Sequence, residues 1–85
     1  IVLECIETSL AKLITNSINI PTIGIGASQY CDGQILVTDD LIGLNPIKVR
    51  FVKQYSNIKK IIKNAVLNYS KDVSEKKFPK KQHSY

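Results

Sequence analysis

Three short apolar runs constrain the fold of this chain more than any other feature. They are "IVLEC", "PTIGI" and "QILVT", at residues 1–5, 21–25 and 34–38. Each is too short for a helix, rich in β-branched residues, and free of the apolar–polar alternation of a half-solvated strand. They therefore read as strands buried on both faces, the pattern of a parallel sheet. Between the first two, Leu10, Leu13, Ile14 and Ile18 recur at helical spacing. Residues 9–18 are thus predicted to form an amphipathic helix, with Thr8 or Ser9 as its cap. Asn19 ends it. Pro21 stands at the mouth of the second strand, where a missing N–H costs little.

After the second strand comes "GASQYCDG", a loop with a turn signal at Asp32-Gly33. The third strand is predicted to close on Asp39 and Asp40. "LIGLNP" reads as a loop, and Pro46 as the opening of a helix over residues 47–55 with Ile47, Phe51 and Tyr55 on one face. Ser56 or Asn57 can cap a last helix. Its apolar stripe is Ile58, Ile61, Ile62, Ala65, Val66, Tyr69 and Val73, and Lys59, Lys60 and Lys63 face water. Residues 74–85 form a polar C-terminal tail, with Phe78-Pro79 as a docking point.

Alternating buried strands and helices imply a parallel α/β sheet. Such a sheet needs both faces covered, and three strands neither close a barrel nor fill a doubly wound sheet. The cover must come from the rest of a longer chain or from another chain. The sequence also opens in mid-strand without Met, which favours the C-terminal portion of a longer polypeptide.

The net charge is +5, unevenly placed. Residues 1–46 carry Lys12 against Glu4, Glu7, Asp32, Asp39 and Asp40, whereas all other Lys and Arg residues lie in residues 47–85 beside Asp72 and Glu75. With Arg50 the only arginine and few interleaved aromatics, the basic half reads as a solvated face rather than a nucleic-acid footprint. Cys5 and Cys31 have neither CxxC spacing nor a nearby His, so no zinc site or disulfide framework is expected. No run of about 18 apolar residues and no signal-peptide pattern is present, so no membrane span is expected and the location expected is cytoplasmic.

Gly24 and Gly26 fall short of a dinucleotide fingerprint, since Gln29 stands where the third glycine belongs, and no Gly-Lys-Ser/Thr follows. They mark a strand from which bulk is excluded, either for packing or for close approach of a ligand. Parallel α/β proteins bind ligands at the carboxyl ends of their strands. The first strand ends at Glu4, the second at Gly26-Ala27-Ser28 and the third at Asp39-Asp40. A carboxylate shielded at the end of a buried strand is suited to act as a general base, which makes Glu4 a candidate. Capping of the following helix, or pairing with a lysine, is the alternative for Glu4. Asp39 and Asp40 read as turn or capping acids, His83 as a solvated tail residue, and Tyr30, Tyr55 and Tyr69 as packing residues with wet tips.

The strings "VLEC", "LAKLIT", "IPTIGIGA", "CDGQILV", "DLIGL", "FVKQY" and the ending "FP…HSY", in this order and spacing, resemble the C-terminal third of the ketopantoate hydroxymethyltransferase family. The resemblance covers essentially the whole chain. It implies the C-terminal fragment of a (β/α)8 TIM barrel, strands 6–8 plus terminal helices, with all of residues 1–85 in that single domain. It also implies a cytoplasmic, Mg²⁺-dependent homo-oligomer, often a decamer. The implied reaction transfers a one-carbon unit from 5,10-methylenetetrahydrofolate to 3-methyl-2-oxobutanoate, giving 2-dehydropantoate for pantothenate biosynthesis. The glutamate closing the "VLE" strand is the family's proton acceptor and matches Glu4. The family's metal ligands lie in its N-terminal two thirds, so no metal ligand is expected in these residues, and the fragment alone is expected to be inactive. Three departures stand near the implied site: Ile6-Glu7 replaces a usual Val-Pro, Ser28 a glycine, and Asp39-Asp40 a usual His-Asp. The competing classes are a non-catalytic remnant and a small basic interaction module.

Overall fold

The computed structural model describes all 85 residues. Strand β1 (Val2–Glu4), helix α1 (Thr8–Ser17) and strand β2 (Ile23–Ile25) form one βαβ unit, and strand β3 (Gly33–Gln34) joins after a loop. Helix α2 (Thr38–Leu41), helix α3 (Ile58–Ser74) and a 3₁₀ turn at Lys81–His83 complete the chain. The strands are parallel, in the order β1-β2-β3. The small parallel α/β sheet expected from the apolar runs is present.

One face of this sheet is covered and the other is bare. Leu3, Ala11 and Cys31 form the buried cluster, with Ile6, Ile14 and Ala27 packed against it. Leu3 therefore faces α1. Side chains alternate along a strand, and Val2 pairs with Ile23 and Glu4 with Ile25, so these four residues share the opposite face. No helix lies on that face, and Val2 is 56% exposed. Helix α1 turns Ala11 and Ile14 to the sheet, while Leu10 and Leu13 point away and stay exposed. The stripe expected from spacing was thus only half right, because the small Ala11 is what lets the helix approach the strands.

A polar clamp at the start of β2 fixes the register of β3. Thr22 is fully buried. The Asp32 carboxylate accepts from Thr22 N (2.8 Å) and Thr22 Oγ1 (3.1 Å), Asp32 N donates to Thr22 Oγ1, and Thr15 Oγ1 lies 2.9 Å from the same hydroxyl. Asp32 does more than make the expected turn: it ties the loop, β2 and α1 together.

Two elements differ from the sequence expectation. The apolar run predicts a third strand over residues 34–38, closing on Asp39-Asp40. Pairing instead begins at Gly33, set by the clamp, and stops after Ile35 N donates to Gly24 O, because β2 itself ends at Ile25. Asp39 and Asp40 lie in the first turn of α2, where acids offset the positive helix end. The helix over residues 47–55 does not form. Asn45 Oδ1 accepts from Ile47 N, Asn45 Nδ2 donates to the buried Asp40, and Tyr55 N donates to Leu41 O. Both ends of the segment are thereby pinned to α2, and Phe51 is carried over the end of β2 instead of onto a helix face.

Gly26 explains how that crossing is possible. Its φ is +60°, and a Cβ there would lie 2.7 Å from the Phe51 ring. Of the two sequence readings for this glycine, packing is the observed one. Gly26→Ala in the full-length protein is expected to destabilise it by about 2–4 kcal/mol, combining left-handed strain and overpacking. Denaturant unfolding measures this, and adding Phe51→Ala should recover the packing part of the loss. A cost below about 0.5 kcal/mol would show that the segment does not sit there.

Helix α3 begins as expected, with Asn57 Oδ1 accepting from Lys60 N. None of its residues is buried; Ile61 and Val66 remain 62% and 59% exposed. The tail folds back on its end: Phe78 stacks edge-on to Tyr69 at 5.7 Å and lies 5.2 Å from the His83 ring, whose Nδ1 accepts from Lys80 N. His83 is exposed, as expected, but held by these contacts.

Candidate active site

The carboxyl ends of β1 and β2 open into a cleft of about 840 Å³. Its walls are Cys5 to Thr8, leading from β1 into α1; Gly26 to Gln29, following β2; and Gln34, Arg50 and Phe51. Ser28 is buried and helps shape the loop: its carbonyl accepts from Gln34 Nε2 (2.6 Å) and its hydroxyl from Tyr30 N. Lys12 of α1 sits over the Tyr30 ring at 4.3 Å, tying helix to loop.

Glu4 ends β1 on the bare sheet face and is exposed, and it does not line the cleft. It caps no helix and pairs with no lysine of these residues. The cap of α1 is Glu7, in place of the expected Thr8 or Ser9. The residue after Glu4 is unusual. Cys5 has φ +51° without being glycine, and its N–H continues the ladder to Ile25 O at 2.9 Å. Such a conformation costs about 1–3 kcal/mol and clusters at functional positions. It turns the chain sharply from the strand into the cleft wall, with Glu4 at the turn.

Glu7 is the acid whose charged form the start of α1 favours. A hydrogen bond from the Ser9 hydroxyl, then those from the N–H groups of Ser9 and Leu10 (both 3.1 Å), hold its carboxyl below the ordinary glutamate value. With the folded pKa depressed, its support of α1 is fully present above the unfolded glutamate pKa and is lost as pH falls through the folded one. An NMR titration should find Glu7 ionising below free glutamate, and Ser9→Ala should move it back up. An ordinary midpoint in the parent protein would contradict the cap.

The other sequence candidates lie elsewhere. Asp40 is buried and bonded to Asn45 at 2.8 Å, a structural role. His83 sits at the far end of α3. No group of three or more His, Cys, Asp and Glu side chains could hold a metal ion. Sequence reasoning missed the part Arg50 and Phe51 play at the cleft. The available signal was Gly26, whose missing side chain required something to come close.

A family model described as ketopantoate hydroxymethyltransferase matches residues 1–81. The chain belongs to this family. As a ketopantoate hydroxymethyltransferase family member, it is 68% identical over its whole length to the 3-methyl-2-oxobutanoate hydroxymethyltransferase of Pelagibacter ubique, covering 33% of that protein. It is 56% identical to the enzyme of that name from Thermosipho melanesiensis, again covering 33% of it. Over 98% of the chain it is 52% identical to the Saccharolobus islandicus protein, covering 31%. The chain thus spans about a third of the length of these curated relatives. No helix is long and apolar enough to cross a membrane.

Proposed function

We propose that residues 1–85 supply the C-terminal third of a (β/α)8 barrel, its sixth to eighth strands and terminal helices, in an enzyme that hydroxymethylates 3-methyl-2-oxobutanoate to 2-dehydropantoate. The observation that carries the reading is the bare sheet face. Val2, Glu4, Ile23 and Ile25 share it, and in a closed barrel that face is the interior, with Glu4 at the carboxyl end where barrel enzymes place their chemistry. Identity of 68% with a protein bearing the corresponding name supports it further.

In this reading Glu4 takes the proton from C3 of the ketoacid. The electron pair left on C3 forms the new bond to the methylene carbon of 5,10-methylenetetrahydrofolate. The two C–N bonds of that carbon break toward the folate nitrogens, which take up the C3 proton by way of Glu4 and one proton of the water that supplies the hydroxyl oxygen. Placing the carboxylate at the strand end, on a turn fixed by Cys5, aims it without spending loop entropy at the moment of reaction. The Mg²⁺ associated with the family finds no donor set in these residues, and no step here runs through it. The protein is proposed to work in the cytoplasm as a homo-oligomer.

The test is product formation by the purified full-length protein. 2-Dehydropantoate should appear from 3-methyl-2-oxobutanoate and 5,10-methylenetetrahydrofolate, and the ketoacid should lose its C3 proton to heavy water. A full-length, folded protein that does neither would overturn the assignment.

A further inference from the structure

We propose that Cys5 is a positioning residue for Glu4: its left-handed backbone, not its thiol, holds the carboxylate on the sheet face opposite α1. This rests on the function proposed above. Side chains of an extended strand alternate, so Glu4 and Ile6 would share one face if β1 simply ran on. They do not. Leu3 lies in the buried cluster on the α1 side, and Glu4 stands on the opposite face with Ile25. Ile6 is back on the α1 side, packed against Leu3, Ala11 and Cys31. Between Glu4 and Ile6 stands Cys5, with φ +51°. That residue cancels the alternation, so a catalytic acid and a core residue can sit two positions apart on opposite faces.

Both flanks of the turn are fixed by contacts within these residues. On one side the Cys5 N–H extends the ladder to Ile25 O at 2.9 Å, just past the Glu4–Ile25 pair. On the other, the Glu7 carboxylate accepts from Ser9 N and Leu10 N, and Glu7 O accepts from Ala11 N at 2.9 Å. Only Cys5 and Ile6 are left to join strand to helix. Relaxing Cys5 to extended backbone would therefore force a choice: Ile6 leaves the cluster, or Glu4 turns from its face. Exposing Ile6 forfeits buried apolar surface, so the acid is the group that turns. The conformation sorts substitutions by backbone preference. Glycine adopts it freely, alanine with strain, and a β-branched residue least of all.

The experiment measures C3 proton exchange of 3-methyl-2-oxobutanoate by the full-length parent, Cys5→Gly, Cys5→Ala and Cys5→Val, each well below its melting temperature. Cys5→Gly should keep kcat for exchange within about threefold of the parent. Cys5→Val should lose about 10- to 100-fold, the result of a base misplaced by about an ångström, with the ketoacid KM within about twofold. Cys5→Ala should fall between them, and it carries the test if Cys5→Val does not fold. Equal losses in all three variants would assign the effect to the thiol and overturn the proposal. So would undiminished exchange in Cys5→Val and Cys5→Ala, or a loss fully accounted for by the unfolded fraction. The ¹³C resonance of the Glu4 carboxyl, assigned with Glu4→Gln, needs no turnover and separates this from failure of the functional reading. In a parent that exchanges no proton, a Glu4 titration midpoint moved by Cys5→Val and kept by Cys5→Gly contradicts the activity and keeps the hold of Cys5 on Glu4. A midpoint unchanged in both variants overturns it.

Discussion

Glu4→Gln in the full-length protein is expected to lower C3 proton exchange of 3-methyl-2-oxobutanoate by about 10²- to 10⁴-fold, the usual contribution of a positioned general base. The amide keeps the shape of the side chain and loses its capacity to take a proton. Glu4 makes no hydrogen bond, salt bridge or cap within these residues, so the variant removes no local support. Folding and substrate binding should therefore survive, and the loss should fall on kcat. Proton exchange read by NMR in heavy water isolates this step from carbon–carbon bond formation. Undiminished exchange in the variant would remove Glu4 from the mechanism.

The second large effect concerns stability. The isolated 85-residue chain is expected to show no cooperative unfolding transition, where ordinary domains hold about 5–15 kcal/mol. Its buried set is 8 of 85 residues, too few to offset the ordering of the backbone. The radius of gyration is 21.5 Å with extents of 67 × 25 × 13 Å, against about 12 Å for a compact domain of this length. The bare sheet face, the outer side of α1 and the whole stripe of α3 await cover. Calorimetry and circular dichroism melts of the isolated chain test this. A sharp transition with several kcal/mol of stability would mean that these surfaces cover one another in solution.

What the sequence made legible was whatever depends on local pattern. The parallel strands at "VLE" and "IGI" follow from short apolar runs without apolar–polar alternation, and α3 from a long stripe behind Asn57. The failures share a cause: a contact distant in sequence outweighed local spacing. Residues 47–55 carried a helical pattern, yet Asn45, Asp40, Leu41 and Tyr55 pin their ends and Gly26 receives Phe51. The third strand was cut short because its partner ends at Ile25 and the Thr22–Asp32 clamp sets where pairing starts. At the site, Glu4 was legible as a strand-ending acid. The left-handed Cys5 was not, since nothing in the residue type announces it. Nor was Arg50, whose place depends on a crossing that only the folded chain makes.

A structure of the complete polypeptide with 3-methyl-2-oxobutanoate bound shows directly whether Glu4 faces the ketoacid. The strands of this chain should close into a barrel wall, with the Glu4 carboxylate about 3 Å from C3 of the ketoacid. A Glu4 side chain on the outer surface, facing bulk solvent and remote from the bound ketoacid, would contradict its role as the base.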